Sequence, residues 1–154
     1  MKVVFTFPLK ESLREPLEKR FPQLEFVFSK EERALEDAAI IVTYGEDITE
    51  EKLQKASKLQ WVMVASAGVE KMPIDWMKRH HIPMANVSGI HKTPMAEAIL
   101  AHILAQARAL PTILQQQREH YWNQKVRSTE IKGKEALIIG PGAIGQEVGR
   151  LLQA

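Results

Sequence analysis

The sequence predicts an α/β fold built on a parallel sheet, and three observations carry that expectation. Short apolar runs alternate with amphipathic stretches along the first part of the chain, the pattern of strands joined by covering helices. The apolar run Ala136-Leu137-Ile138-Ile139 leads straight into Gly140-Pro141-Gly142-Ala143-Ile144-Gly145. After that turn, Ile144, Val148, Leu151 and Leu152 recur at helical spacing. A G-x-G-x-x-G between strand and helix is the dinucleotide-binding fingerprint. Its first glycine allows the tight turn, the second admits pyrophosphate to the backbone, and the third lets helix pack on strand.

The elements follow in order. Strands are expected at Lys2 to Phe7, Leu24 to Phe28, Ile40 to Tyr44, Trp61 to Val64 and Ile82 to Ala85, with the helices between them covering both faces of the sheet. Leu13, Leu17 and Phe21 share a helix face, and Pro16 is tolerable there only in a first turn, where no donor is needed. Thr49 is a suitable N-cap for a helix over Glu50 to Ser57, with Glu50 and Glu51 well placed against its dipole. The longest helix starts near Pro94. Ala96, Ile99, Leu100, Ile103, Leu104 and Ala107 form one apolar stripe, and Ala98, Ala101, Ala105 and Ala109 a second face of small residues, so burial on two sides is expected. Pro111 then kinks this helix or begins a new one.

Composition narrows the class. With 154 residues, 45% hydrophobic and 26% charged, the chain holds one domain with a proper core plus a remnant. A formal net charge of +2 with no long basic run argues against nucleic acid as a partner. The absence of cysteine excludes a disulfide framework and fits the cytoplasm. The run Val3 to Phe7 is too short for a signal peptide, and no segment has the length of a membrane span.

Three further motifs give the chain a family likeness. Trp61-Val62-Met63-Val64-Ala65-Ser66-Ala67-Gly68-Val69-Glu70 is similar to a strand and loop of the form W-x3-S-x-A-G-V-D. Gly89-Ile90-His91-Lys92-Thr93-Pro94-Met95-Ala96-Glu97 is similar to G-V-x4-(V/M)-A-E at the head of a long helix. Ile131-Lys132-Gly133-Lys134 through Gly145 is similar to L-x-G-K-x4-G-x-G-x-I-G. In this order and spacing they resemble the D-isomer-specific 2-hydroxyacid dehydrogenases, and the likeness covers nearly the whole chain.

The resemblance implies a flavodoxin-like parallel-sheet substrate domain over residues 1–93, a connecting long helix over 94–132, and over 133–154 the first strand and helix of a Rossmann cofactor domain, truncated just after the fingerprint. It implies that the backbone of Ala67, Gly68 and Val69 binds a substrate carboxylate, as consecutive amides after a strand can, with Ser66 lining the pocket. It implies a substrate-facing place for His91, and NAD or NADP held by Gly140, Gly142, Ala143, Ile144 and Gly145. Ala143 stands where a polar side chain is common, so phosphate contacts would rest on backbone groups. The family's general acid/base His, its orienting Glu and its substrate-gripping Arg lie beyond the fingerprint helix, so no catalytic residue is mapped onto this chain.

The remaining histidines read as structural: His80 and His81 close a charged helical stretch, and His102 and His120 have no partners at metal-ligand spacing. Two functions of different class fit. One is the N-terminal portion of an NAD(P)-dependent oxidoreductase acting on a small D-2-hydroxy or 2-oxo acid, inactive as this fragment. The other is a stand-alone module that binds a small carboxylate or a protein without chemistry. The flanking partners of a strand at 136–139 are not encoded, so a homodimer that pairs such edges is expected, the alternative being a frayed tail on a monomeric flavodoxin-like domain.

Overall fold

A computed structural model describes residues 1–153, and the chain divides into two compact units, Met1–Ser88 and a second that begins at Gly89. The first unit is the α/β domain. Its strands are β1 (Lys2–Phe5), β2 (Glu25–Phe28), β3 (Ile40–Thr43), β4 (Trp61–Val64) and β5 (Met84–Asn86), and its helices are α1 (Glu11–Arg20), α2 (Glu32–Leu35), α3 (Glu50–Lys55) and α4 (Ile74–Arg79). All strand pairs are parallel, in the order β2-β1-β3-β4-β5. That is the flavodoxin-like order, so the α/β fold class and its parallel sheet are as the sequence predicts.

Strand alternation seats the core. Val4, Ile41, Val62 and Val64 point to one face and are fully buried, against Leu35 of α2, Leu53 of α3 and Trp76 and Met77 of α4. Register puts Phe5, Val42 and Met63 on the opposite face. There Val3 is buried, but Phe5, Val42 and Met63 are only partly so, with Phe5 stacked on Phe28 at 5.1 Å and Arg14 of α1 over the Phe28 ring at 4.7 Å. Within this unit the sheet is therefore fully covered on one face, not on both.

Local chemistry sets the element ends. Thr49 caps α3 as expected, its hydroxyl accepting from the Lys52 amide at 3.3 Å. β5 begins at Met84 instead of Ile82 because Pro83 has no amide to donate; its carbonyl still accepts from Val62. Pro16 sits inside α1, not in its first turn. The helix tolerates it because α1 buries no residue completely, so the Ser12 carbonyl left without a donor can turn to water.

The second unit holds α5 (Lys92–Ala107), α6 (Leu110–Arg118) and α7 (Ala143–Leu152). Ala109 takes a left-handed conformation (φ 52°) that breaks α5 from α6, and Pro111 falls in the first turn of the new helix. α5 packs against α7, yet Ala96 is its one buried residue, while Ala98, Ala101 and Leu104 are exposed. The expected burial on two sides is thus corrected to one: on the small-residue face Ala98 and Ala101 are exposed and Ala105 and Ala109 only partly buried. The run Ala136–Ile139 is not a strand. Among the described residues the unit holds no strand to share a ladder with it, and Leu137 and Ile139 stand 89% and 91% exposed. Among the described residues no helix is long and apolar enough to cross a membrane.

The one-sided core makes a clear stability prediction. Leu53→Ala, at 1% exposure, is expected to destabilise the first unit by about 2–5 kcal/mol. Leu13→Ala, on the open face of α1, should change stability by no more than about 0.5 kcal/mol. Urea unfolding followed by tryptophan fluorescence measures both, and equal losses would contradict this placement of the core.

Candidate functional site

The pairing of β3 with β4 sets Thr43 beside Val64, so the loops that leave these two strands run side by side. They line a cleft of about 460 Å³ with Tyr44, Gly45 and Glu46 on one bank and Ser66, Gly68, Val69, Glu70, Lys71 and Met72 on the other. The cleft lies at the carboxyl ends of the strands, where open parallel sheets bind ligands.

The second bank is built so that its amides are free. The Ser66 hydroxyl donates to the Gly68 carbonyl at 2.7 Å, and Asn86 of β5 donates its side-chain amide to the Ala67 carbonyl at 2.6 Å. Val69 accepts from the Met72 amide at 3.0 Å. The loop's carbonyls are thereby taken. Among the described residues no group accepts from the amides of Ala67, Gly68 or Val69, and three unpaired donors at a strand end form a concavity suited to an anion. A Cβ at Gly68 would collide with the Glu70 carboxylate, whose Cδ would stand 3.1 Å away.

The other bank is fixed from below. The Thr43 hydroxyl donates to Asp47 at 2.6 Å and accepts from the Gly45 amide at 2.9 Å, which pins the turn after β3. The Tyr44 ring packs on Phe7 with centroids 4.3 Å apart. Lys71 spans the cleft to Glu46 at 2.7 Å, and this hydrogen bond holds the Glu46 carboxyl below its usual range.

The fingerprint turn in the second unit gives each glycine a separate task. Gly140 adopts φ +84°, which an L side chain resists. Gly142 is the N-cap of α7, and a Cβ built there meets nothing within 4 Å, so open space lies where a ligand would approach. Gly145 is where the helix crosses the preceding segment: a Cβ would stand 2.8 Å from the Gly140 carbonyl and 3.1 Å from Ile138 Cγ2. The first intrahelical bond runs from the Gln146 amide to Gly142 at 2.9 Å. The amides of Ala143, Ile144 and Gly145 therefore point out of the helix end unpaired. The close helix crossing survives although residues 136–139 form no strand.

Of the residues singled out in the sequence, Ser66, Gly68 and Val69 line the cleft, and Ala67 supplies the amide and the Asn86-bound carbonyl of the same loop. His91 belongs to the second unit, as the exposed N-cap of α5 with no side-chain capping bond. Sequence reasoning missed Tyr44, Glu46, Lys71 and Asn86. A signal existed for Tyr44, which directly follows a strand adjacent to the one bearing the Ala67-Gly68-Val69 loop; Asn86 carries none without the sheet order.

A flavodoxin-like sheet, and in the second unit a glycine fingerprint on a helix N-terminus, define an α/β protein that carries the dinucleotide-binding turn. Residues 3–130 match the profile of the D-isomer specific 2-hydroxyacid dehydrogenase catalytic domain. The chain belongs to that family. It is 29% identical over 160 residues to the D-3-phosphoglycerate dehydrogenase of Archaeoglobus fulgidus, covering all of this chain and 30% of that one. The Sus scrofa D-3-phosphoglycerate dehydrogenase is 32% identical over 130 residues, 82% of this chain and 24% of its own length. Among solved structures, the Aquifex aeolicus D-lactate dehydrogenase in complex with NAD and lactic acid superposes with a TM-score of 0.80 at 20% identity, covering 99% of this chain and 48% of that one. The Staphylococcus aureus NAD-dependent formate dehydrogenase in complex with NAD gives 0.72 at 25% identity, over 99% of this chain and 53% of the other. The chain thus spans about a third or less of these curated relatives and about half of these solved chains.

The separate tasks of the glycines are testable. Gly145→Ala is expected to lower the thermal stability of the second unit, because backbone 2.8 Å from the new methyl cannot move aside cheaply. Gly142→Ala, in open space, should leave stability within about 0.5 kcal/mol of the parent. Hydrogen exchange of the α7 amides distinguishes them, and equal protection in both variants would refute the assignment.

Proposed function

We propose that this chain supplies the substrate-binding domain and the opening of the cofactor-binding domain of a cytoplasmic NAD(P)-dependent oxidoreductase that interconverts a D-2-hydroxy acid and its 2-oxo acid. The observation that carries this reading is the loop Ser66–Val69, whose carbonyls are occupied while its amides stand free on a cleft at the ends of β3 and β4. On this reading the amides of Ala67, Gly68 and Val69 hold the substrate carboxylate and Ser66 fixes the loop that presents them. His91 hydrogen-bonds a substrate oxygen.

The fingerprint fits a dinucleotide, since the room at Gly142 and the free amides of Ala143 and Ile144 suit a pyrophosphate. Gly140, Gly142, Ala143, Ile144 and Gly145 would hold it through backbone groups alone. The bound nicotinamide supplies the hydride acceptor or donor, and this chain's part is to fix the two anionic ends of the reactants. No residue here is assigned the proton transfer, so the 154-residue chain by itself is expected to be inactive. The second reading, a carboxylate-binding module without chemistry, shares the loop but gives the fingerprint no task.

Oxalate is a direct probe of the loop. Amide chemical shifts of Ala67 to Val69 are expected to move on titration, and Gly68→Val should abolish the movement by crowding both the Glu70 side chain and the ligand. Shifts that appear elsewhere, or that survive the substitution, would remove the loop from the site.

We further propose that the chain forms a homodimer through the second unit. Trp122, Leu137 and Ile139 are 82%, 89% and 91% exposed, and the segment around the last two has backbone groups with no ladder partner. Light scattering at micromolar concentration should give twice the chain mass. A monomer that protease clips rapidly after Lys132 would refute it.

A further inference from the structure

Each free amide of the loop after β4 shares a peptide with a carbonyl, and each of those carbonyls has its own donor. The Val87 amide donates to the Ser66 carbonyl at 3.4 Å, in the peptide that carries the Ala67 N–H. The Asn86 side-chain nitrogen donates to the Ala67 carbonyl at 2.6 Å, in the peptide that carries the Gly68 N–H. The Ser66 hydroxyl donates to the Gly68 carbonyl at 2.7 Å, in the peptide that carries the Val69 N–H. A trans peptide is planar, with its C=O and N–H on opposite sides. A donor that draws the carbonyl one way therefore aims the N–H the other way, and it polarises that N–H as well.

The middle peptide depends most on its donor. A flip of the Ala67–Gly68 peptide turns φ of Gly68 by about half a circle, a change that glycine tolerates and other residues resist. Flipped, the loop shows the cleft a carbonyl oxygen in place of an N–H, and an anion meets partial negative charge. The three donors are unequal. The bond from Val87 is long, and the Ser66 hydroxyl is shared with the Tyr44 carbonyl at 3.3 Å. Asn86 makes the shortest of the three bonds, from a half-buried side chain on the last residue of β5. Its backbone is placed by pairing with Val64, a fully buried residue of β4.

We infer that Asn86 is a positioning residue for the substrate carboxylate, a role that rests on the loop reading above. It acts through the Ala67 carbonyl and not on the ligand itself. By holding that carbonyl it keeps the Gly68 N–H turned into the cleft, which makes β5 part of the site.

Asn86→Asp tests this directly, because it keeps the shape of the side chain and exchanges a donor for an acceptor. The flipped peptide is then the favoured one, since its N–H can donate to the new carboxylate. In the ligand-free 154-residue chain, solvent exchange of the Gly68 amide is expected to slow by at least about tenfold, the worth of a hydrogen bond to a charged group. Oxalate, followed by the amide shifts of Ala67 to Val69, should bind this variant at least about tenfold more weakly. Asn86→Ala removes the bond and offers no acceptor. Its Gly68 amide should exchange as fast as the parent's, while oxalate affinity falls about threefold to tenfold, the net worth of an ordinary hydrogen bond. Should Asn86→Asp not fold, the oxalate affinity of Asn86→Ala decides alone. Unchanged Gly68 exchange in Asn86→Asp, or parental oxalate affinity in Asn86→Ala, overturns the inference and leaves the loop reading standing. Oxalate that moves none of the Ala67 to Val69 amides in the parent chain overturns the loop reading, and the role of Asn86 in binding with it.

Discussion

The in-register pairing of β3 with β4 is the constraint on which the candidate site depends. Val62 and Val64 have no freedom to shift by one residue, because a slip would turn both from the buried face of the sheet to its half-open one. Their partners Ile41 and Thr43 are locked in the same way. Thr43 is a polar residue at zero exposure, and it is satisfied twice over, by Asp47 and by the Gly45 amide. Burial of a hydroxyl without partners would be costly. The bonds that satisfy it also fix where the Tyr44–Glu46 turn goes. Core packing and the shape of one bank of the cleft are therefore the same piece of physics.

The opposite bank is organised by hydrogen bonding. Backbone at a strand end normally loses its donors to water or to a following helix. Here Ser66 and Asn86 engage the carbonyls of Gly68 and Ala67, so the loop is held while its amides stay unspent. Asn86 reaches this loop because β5 lies beside β4, pairing Asn86 with Val64. The sheet order thus appears in the site twice, once through the neighbour on each side of β4. An Ala67-Gly68-Val69 sequence on any other strand end would lack the Asn86 clamp.

Much of this was legible in the residues themselves. Alternating apolar runs located all five strands of the first unit, and Thr49 located a helix start, because burial and capping act locally and leave local patterns. At the fingerprint the backbone shows positive φ at Gly140, room at Gly142 and crowding at Gly145. Other features were not legible. Whether Ala136–Ile139 becomes a strand depends on a neighbour to share hydrogen bonds, and strand propensity carries no information about that neighbour. The small-residue face of α5 looked like a packing surface, but packing needs a partner surface that composition alone does not locate. Glu46, Lys71 and Asn86 come to the cleft from separate loops and a separate strand, and only the sheet order brings them there.

The two glycine-bearing turns leave room beside free amides by different means. At Gly68 the absent Cβ leaves space already contested by the side chain of Glu70, so the loop is open to a carboxylate only as far as that neighbour yields. At Gly142 the absent Cβ leaves space contested by nothing, and the donors are presented by a helix of ten residues whose dipole favours a negative charge at that end. The fingerprint thus presents its donors with geometry and dipole aligned and no side chain taking part. The loop after β4 differs, because its free amides stand on a cleft shared with the side chains of Tyr44, Glu46 and Glu70. Backbone supplies the donors at both turns, and the side chains around the loop can change without disturbing the sheet beneath them, since Glu46 and Glu70 are exposed while Val62 and Val64 are buried.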